Sequence, residues 1–252
     1  MKISIVTVSY NSAKTIRDTI ESVLSQTYPD IEYIVVDGKS KDNTVDIIKG
    51  YESKFAGRMR WVSESDKGLY DAMNKGIRMA SGDVVGIINS DDFYHDKDVI
   101  KKVAEAFQKD DVQATYADVH FVKSENLSKT VRYYSSAKFT LKGFRFGFMP
   151  AHPTFFTYKK YFDEFGYYKT DYYFSADFEL LIRFLYTNKL KSTYLPIDFL
   201  TMRVGGRSTA SLKNHLLLTH ECIRAAKSNG IYTNMLILSL KYFVKLFEYI
   251  GV

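Results

Sequence analysis

The sequence predicts an α/β fold in which helices flank a largely parallel sheet. Through about residue 120, short apolar segments alternate with amphipathic ones, and several apolar segments stop abruptly at polar or acidic residues. The alternation is typical of stacked βαβ units, and ligands bind outside the carboxyl ends of the strands in such sheets. With 252 residues, of which 46% are hydrophobic, the chain can bury a substantial core.

Hydrophobic spacing and turn residues define the elements of the first half. The apolar segment 3–8 is the first predicted strand. Ser12 is expected to cap the helix that follows, and Tyr28-Pro29-Asp30 ends that helix. Further strands are predicted at 31–36, at 59–62, from 84 up to Asp91, and at 114–122. Further helices are predicted through Val45 to Tyr51, Leu69 to Ala80 and Val99 to Phe107.

The second half of the chain has a weaker pattern and is rich in aromatic residues. No Pro/Gly/Ser-rich linker or charge run marks a boundary, so we predict one domain with two halves, 1–122 and 123–230. The second half is expected to cover the sheet and to build a pocket wall.

The C-terminal segment 231–252 is predicted to be an apolar helix. Lys241, Lys245 and Glu248 interrupt it, which makes it too charged for a membrane span. We expect this helix to dock on the core or to form a homodimer contact. The alternative is a helix that lies on a membrane surface.

Composition and absent motifs exclude several classes of protein. The single Cys222 excludes a disulfide framework, and the N-terminus lacks a signal peptide, which favours a cytoplasmic location. The net charge of +6 is a weak signal because the lysines are scattered, and no basic, aromatic groove indicates nucleic-acid binding. The chain has Tyr33 where a P-loop needs glycine, and it lacks the glycine-rich dinucleotide turn and the common hydrolase motifs.

Two adjacent carboxylates end the predicted strand that starts at residue 84. Asp91 and Asp92 follow the apolar run directly, at the edge of the sheet where ligands bind. Hard oxygen ligands suit Mg²⁺ or Mn²⁺, and a cation held by one or two carboxylates keeps positions open for phosphate oxygens. The alternative is an acidic turn that caps the helix expected near Asp96.

Four predicted strand ends carry polar side chains toward one crevice. They are Ser9-Tyr10-Asn11, Asp37-Gly38, Glu64-Ser65-Asp66 and Asn89-Ser90-Asp91-Asp92. An exposed tyrosine can stack on a nucleobase, and carboxylates can accept hydrogen bonds from a base or a ribose. Together with a metal at a diphosphate, this pattern indicates a nucleotide-diphosphate site.

These segments resemble the family 2 glycosyltransferases of the GT-A fold, which transfer sugars from nucleotide-sugar donors. The resemblance spans nearly the whole chain and is dense over residues 3–93. It therefore implies a Rossmann-like mixed sheet flanked by helices, with a C-terminal helical segment. The segments that carry it are Val8-Ser9-Tyr10-Asn11, Ser25-Gln26-Thr27-Tyr28, Asp37 through Thr44, and the helix Asp66 through Gly76 typical of one polysaccharide-building branch.

The resemblance also implies roles for individual residues. It makes Asp92 the main ligand of Mn²⁺ or Mg²⁺, with Asp91 at the metal or ribose, and Asp177 the catalytic base at the start of a helix. A helix-capping role is the alternative for Asp177, and Glu179 is the second candidate base. The implied donor-binding residues are Val8, Tyr10, Asp37, Asp66, Gly68, Asn74, Asp91 and Arg207. His152 is expected in the acceptor pocket, with a structural hydrogen bond as the alternative.

Two positions depart from the frequent family pattern. Gly38 stands where a second acidic residue is common, and Ser90 stands where the metal motif often begins with aspartate. Asp66 is expected to take over the contact that residue 38 would supply.

The predicted activity is inverting, metal-dependent transfer of a sugar from a nucleotide-diphosphate sugar, with UDP favoured by the family. The expected acceptor is a growing polysaccharide of the O-antigen type, or a lipid-linked oligosaccharide, at the cytoplasmic face of a bacterial membrane. The alternative is a catalytically inactive nucleotide-sugar-binding or scaffold protein of the same fold.

Overall fold

One mixed sheet with helices on both faces organises the molecule. The structure, a computed structural model, describes residues 1–109, 111–205 and 211–241. The strands in these ranges are β1 Ile3–Ser9, β2 Ile31–Asp37, β3 Met59–Ser63, β4 Val84–Asn89, β5 Phe93–Tyr94, β6 Ala114–Lys123, β7 Asn126–Tyr134, β8 Phe156–Tyr158 and β9 Ser192–Arg203. The helices are α1 Ile16–Leu24, α2 Thr44–Glu52, α3 Leu69–Met79, α4 Val99–Phe107, α5 Lys159–Phe165, α6 Ala176–Leu181 and α7 Leu212–Ser228.

Shorter helical pieces complete the described chain. The 3₁₀ turns are Ser53–Phe55, Leu141–Phe146 and His152–Thr154, and α6 continues as π-helix over Ile182–Thr187. Residues 235–241 are helical. No described helix is both long and apolar enough to cross a membrane.

The strand order is β3-β2-β1-β4-β8-β6-β9-β5, and β7 pairs with the outer part of β6. Strands β1 to β4 are parallel, β8 is antiparallel to both β4 and β6, and β9 is parallel to β6. Two antiparallel steps restore the direction, so β6 and β9 point the same way as β4. The carboxyl ends of β1, β2, β3, β4, β6 and β9 therefore lie along one side of the sheet, whereas β5, β7 and β8 run the opposite way.

Alternating strand residues build a core on each face of the sheet. In β1, Val6 packs with α3 and the second half of the chain, whereas Ile5 packs with α1 and α2. Successive side chains of a strand point to opposite faces of the sheet. β-branched residues at both odd and even positions therefore bury both faces of β1. Gly76 lets α3 approach β1 closely, since a Cβ there would lie 2.3 Å from Cγ1 of Val6.

Most predicted elements of the first half are confirmed, with one correction. The first helix begins at Ile16 and not directly after Ser12, because Ser12 to Thr15 forms a separate turn. The Ser12 hydroxyl lies 2.8 Å from the hydroxyl of Ser90, so it joins two loops and caps no helix. The second half covers one face of the sheet and also adds three strands to it.

Candidate active site

Four neighbouring strand ends meet at the predicted crevice. The strand register aligns Ser9 with Asp37, and Asp37 with Ser63. On the other side of β1, Val8 is aligned with Asn89. The predicted convergence of polar strand ends is therefore confirmed by the pairing of β1, β2, β3 and β4.

Asp37 is a buried centre of hydrogen bonds in this crevice. Its carboxylate accepts hydrogen bonds from the hydroxyl of Ser9 at 3.1 Å and from the hydroxyl of Ser63 at 2.7 Å. The backbone N–H of Ser40 donates to Oδ2 at 2.9 Å, and the Ser40 hydroxyl donates to Oδ1. These bonds hold the ends of three strands together, so Asp37 orders the wall of the crevice.

Tyr10, Gly38 and Asp66 face one another in front of this wall. The Tyr10 side chain is 60% exposed and free to stack on a ligand. A Cβ on residue 38 would lie 3.2 Å from Oδ2 of Asp66 and 3.4 Å from the Tyr10 ring. Asp66 thus occupies the space beside Gly38, and a side chain at position 38 would crowd its carboxylate.

Lys75 neutralises Asp66 in part. Its ammonium group lies 2.6 Å from Asp66 Oδ1 and 2.8 Å from Glu64. Loss of hydration raises the pKa of Asp66, and the Lys75 charge counteracts part of that rise. Hydrogen bonds from a ligand would stabilise the ionised form of a carboxylate in this environment.

Asp91 and Asp92 lie directly beyond β4 in different surroundings. Asp91 is exposed, whereas Asp92 is 1% exposed and accepts a hydrogen bond from the Asn89 amide at 3.0 Å. Burial, reinforced by the charge of Asp91, raises the pKa of Asp92 well above its ordinary value. The pair is a concentration of negative charge that the protein itself does not fully compensate.

The donor set of this pair fits a divalent cation. Adjacent carboxylates offer hard oxygen ligands, and a cation bound there would relieve the repulsion that raises the pKa of Asp92. The hydroxyl of Ser90 is engaged with Ser12, which fixes the loop that carries the two aspartates.

Arg203 is a residue of this site that sequence reasoning missed. It ends β9, is nearly buried, and donates hydrogen bonds to the carbonyl oxygen of Asp91 and to the carboxylate of Asp18. Its guanidinium group lies 5.2 Å from the centroid of the Phe93 ring. An arginine at a predicted strand end would have been the signal, but β9 was not predicted.

Asp177 lies near the first turn of α3, on the acceptor-side half. It is half-buried, its Oδ1 lies 3.5 Å from the hydroxyl of Tyr70, and burial raises its pKa. Ser175, not Asp177, is the N-cap residue of α6, although Asp177 accepts a hydrogen bond from the N–H of Phe178 at 2.8 Å. Its carboxylate therefore combines a raised pKa with free hydrogen-bonding capacity.

Glu179 has a different environment, although it is only two residues away. It is fully buried, and its oxygens bind Lys169 at 2.8 Å and Arg183 at 2.9 Å. Burial alone raises the pKa of Glu179, but the hydrogen bonds from Arg183 and Lys169 outweigh it and leave the pKa below its usual value. A carboxylate that is paired in this way is a poor base, which leaves Asp177 as the candidate.

His152 is buried beside Asp177. Its Nε2 lies 2.6 Å from the hydroxyl of Tyr168, and burial lowers its pKa, so the imidazole is neutral at pH 7. The Tyr168 ring stacks on Tyr70 with centroids 5.7 Å apart. His152 thus makes the structural hydrogen bond of the alternative interpretation and also lies within the group of side chains around Asp177.

Three other predicted donor residues have specific positions. Val8 is buried in the core one residue before the end of β1. Gly68 is the N-cap residue of α3 with φ of 120°, a conformation that favours glycine. Asn74 is buried, and its amide both donates to the carbonyl of Tyr168 at 2.8 Å and accepts from its N–H at 2.9 Å. The Asn74 side chain is therefore engaged with the protein. Arg207 lies outside the described residues.

Glu221 of α7 fixes the segment that leads to Asp177. It is buried and accepts hydrogen bonds from the backbone N–H groups of Tyr173 at 2.7 Å, Phe174 at 2.8 Å and Ser175 at 3.0 Å. Sequence reasoning did not single out this residue, because the contact joins positions almost 50 residues apart in the chain.

The sequence profile of glycosyl transferase family 2 matches residues 4–173, which include the ends of β1, β2, β3 and β4, whereas Asp177 and Arg203 lie beyond the matched range. The chain belongs to glycosyl transferase family 2. The predicted family and α/β fold are therefore confirmed. An uncharacterized glycosyltransferase of Mycobacterium tuberculosis (strain CDC 1551 / Oshkosh) is 42% identical over 105 residues. That alignment covers 41% of this chain and only 39% of the relative.

Solved structures of other transferases share this fold. The crystal structure of S. aureus TarS residues 1–349 in complex with UDP has a TM-score of 0.69 at 18% identity, over 94% of this chain and 70% of that chain. The mannosyltransferase PcManGT from Pyrobaculum calidifontis, in complex with GDP-Man and Mn²⁺, has a TM-score of 0.63 at 16% identity, over 98% and 80% of the two chains. At these identities the likeness concerns the fold.

Proposed function

We propose that this member of the family is an inverting, divalent-metal-dependent transferase that takes its sugar from a nucleotide-diphosphate sugar, with UDP as the nucleotide. The observation that carries the proposal is the presence of carboxylates at two different places in the fold. Asp91 and Asp92 are adjacent, directly beyond β4, and suited to a cation, whereas Asp177 is a single carboxylate on α6 that contacts Tyr70 of α3. Inverting transfer needs this combination of a metal at the diphosphate and a separate base.

The donor would lie across the strand ends of β1, β2 and β4. Tyr10 offers an exposed ring for the base. Asp66, which lies next to Gly38, would make the contact with the nucleotide that an acidic residue at position 38 makes in the frequent family pattern. A divalent cation held by Asp91 and Asp92 would neutralise charge on the diphosphate. The neighbours bound to UDP and to GDP-Man with Mn²⁺ support a nucleotide and a metal in this fold.

Asp177 would act on the acceptor. In its ionised form it takes the proton of the acceptor hydroxyl as that oxygen attacks the anomeric carbon, and the bond to the diphosphate oxygen breaks with its electron pair. Attack from the face opposite the diphosphate inverts the anomeric configuration. Neutral His152 and Tyr168 would line the same pocket and orient the hydroxyl.

The proposed acceptor is a polysaccharide of the O-antigen type or a lipid-linked oligosaccharide at the cytoplasmic face of the membrane. The exposed apolar side chains of the C-terminal segment support a membrane-surface encounter, with Tyr232 66% and Leu236 77% exposed. The inactive, scaffold-type alternative is weakened because Asp92 and Asp177 are both present in environments that suit their chemistry.

Calorimetric titration with UDP, with and without Mn²⁺, tests the donor site. We expect binding that depends on Mn²⁺ in the wild type and a loss of about tenfold or more in affinity, about 1.4 kcal/mol, in Asp92→Asn. Asp163→Asn is the matched control, since Asp163 is an exposed aspartate whose partners are Lys159 and Tyr167 of its own segment. Metal-independent binding, or equal binding by both variants, contradicts the proposed metal ligand. The same titration with GDP, CMP and dTDP identifies a different nucleotide, and failure with all four contradicts the proposed donor class.

A further inference from the structure

A second group of possible metal ligands lies on the outer strands of the sheet. His95 directly follows β5, His120 lies on β6, and Asp198 lies on β9. The pairing of β9 with both β5 and β6 brings the three residues together, with His120 aligned to Thr201 in the register. The group is separate from the Asp91–Asp92 pair, because it comprises other residues on other strands.

The three side chains are close enough to share one ion. One ligand atom from each lies within 4.8 Å of the other two. The imidazole rings of His95 and His120 stack with centroids 4.7 Å apart and an interplanar angle of 18°. Nε2 of His120 lies 2.9 Å from Oδ1 of Asp198.

Hydrogen bonds orient both imidazoles. Nδ1 of His95 lies 3.2 Å from the hydroxyl of Thr201, and Nδ1 of His120 lies 3.0 Å from the hydroxyl of Thr130. A ring held through Nδ1 presents Nε2 as the ligand atom, which is the usual arrangement around metal-bound histidines. Two threonine hydroxyls therefore hold the imidazoles of His95 and His120 in orientations suited to metal binding.

The Nε2 atom of His120 is the second indication of a ligand. It is buried and has no aligned hydrogen-bond partner among the described residues, although Oδ1 of Asp198 is only 2.9 Å away. Nε2 and the carboxylate oxygen of Asp198 thus face each other at 2.9 Å, and an ion that takes the place of a proton between them would contact both atoms.

We propose that His95, His120 and Asp198 bind a divalent transition-metal ion of the zinc class. Two imidazoles and one carboxylate suit Zn²⁺ better than Mg²⁺ or Mn²⁺. Metal–ligand distances of about 2.0–2.2 Å require the ligand atoms to approach by small side-chain rotations. His95 and Asp198 are exposed, so an ion can enter and a water molecule can fill the fourth position.

The ion would join the outer strands to the loop that carries Asp91 and Asp92. Because β5 connects the Asp91–Asp92 pair directly to His95, a bound ion would brace that loop against β6 and β9. This inference does not depend on the proposed transfer reaction.

Co²⁺ and Zn²⁺ titrations of the untagged, chelator-treated chain test the site. We expect one Co²⁺ per chain with visible d–d absorption, displaced by Zn²⁺, and a rise of the melting temperature with Zn²⁺. In His95→Gln and His120→Gln the affinity for Zn²⁺ should fall at least tenfold. His95 is exposed, so its replacement keeps the fold even if that of His120 does not.

His220→Gln is the matched control, because His220 is an exposed histidine of α7 outside this group. Asp92→Asn serves as the second control and separates this site from the Asp91–Asp92 pair. Wild-type affinity in both controls, with loss in His95→Gln, supports the proposal. No stoichiometric binding by the wild type, or unchanged binding by His95→Gln, overturns it.

Discussion

The carboxyl group of Asp177 has opposite effects on stability and on the proposed catalysis. Burial raises its pKa, so the folded state holds the proton more tightly than the unfolded chain does. The unfolded state therefore binds fewer protons between the two pKa values, and stability falls as the pH rises through that range. A base must be ionised, so catalysis instead requires a pH above the raised pKa.

Asp177→Asn should accordingly be inactive and more stable than the wild type. We expect kcat to fall by a factor of about 10² to 10⁴, the usual contribution of a general base. The melting temperature at pH 7 should exceed that of the wild type, and the difference should vanish at a pH below the ordinary pKa of aspartate, about 3.9. Product assays and thermal melts across pH measure both effects. A wild-type rate in this variant would remove Asp177 from the mechanism.

Residue types at strand ends were the part of the site that sequence could predict. Asp91, Asp92 and Asp177 follow or precede clear apolar patterns, which made them visible. Arg203 was not visible, because it reaches Asp91 over 112 positions and only the folded sheet brings them together. Likewise, the distinction between Asp177 and Glu179 depends on Lys169 and Arg183, and no local pattern shows which carboxylate they bind.

At the scale of elements, α7 is joined to the segment before α6 mainly through the side chain of Glu221. The three N–H groups that Glu221 binds belong to the segment immediately before Asp177. Removing the buried Glu221 carboxylate is costly in folding free energy, because three backbone N–H groups then lack a hydrogen-bond partner.

Glu221→Gln should destabilise the chain by about 1–3 kcal/mol and lower kcat while the affinity for UDP stays at the wild-type value. The reason is that the amide accepts at one atom only, so the segment shifts Asp177 without touching the donor crevice. Glu105→Gln, on the exposed face of α4, is the control. Urea unfolding and steady-state kinetics measure the two effects. Equal loss of UDP affinity would show that α7 acts on the whole site and not on the base alone.

At the scale of the whole molecule, the first half was predictable because each strand there is buried and regular. The second half was not, since short antiparallel strands such as β8 take their identity from the strands beside them. The aromatic-rich second half was expected to build a pocket wall, but several of its aromatic side chains belong to the core, and Phe144 and Phe156 are fully buried.

The C-terminal segment has a docked face and an exposed face. Leu238 is 1% exposed and packs near Gly147, whereas Leu236 points to solvent. Removal of the entire segment from residue 231 would therefore also remove core contacts, and its effect on membrane binding could not be separated from unfolding.

Leu236→Glu is the sharper test of membrane contact. We expect the wild type to float with vesicles that contain anionic lipid, and the variant to float at least about fivefold less, because a charge enters the apolar boundary. Leu127→Glu is the control, as Leu127 is an exposed leucine of the β6–β7 hairpin, which lies outside the C-terminal segment. No flotation of the wild type would contradict the proposed membrane encounter.

The paired hydrogen bonds between Asn74 and Tyr168 have a consequence for protein engineering. They tie α3, which begins beside Asp66, to the loop that approaches Asp177. A chimaera that exchanges only the acceptor-side half would break this tie, since the incoming loop would meet a helix shaped for another partner. Recombination between relatives should therefore succeed when the crossover lies before α3, so that the helix and its loop travel together.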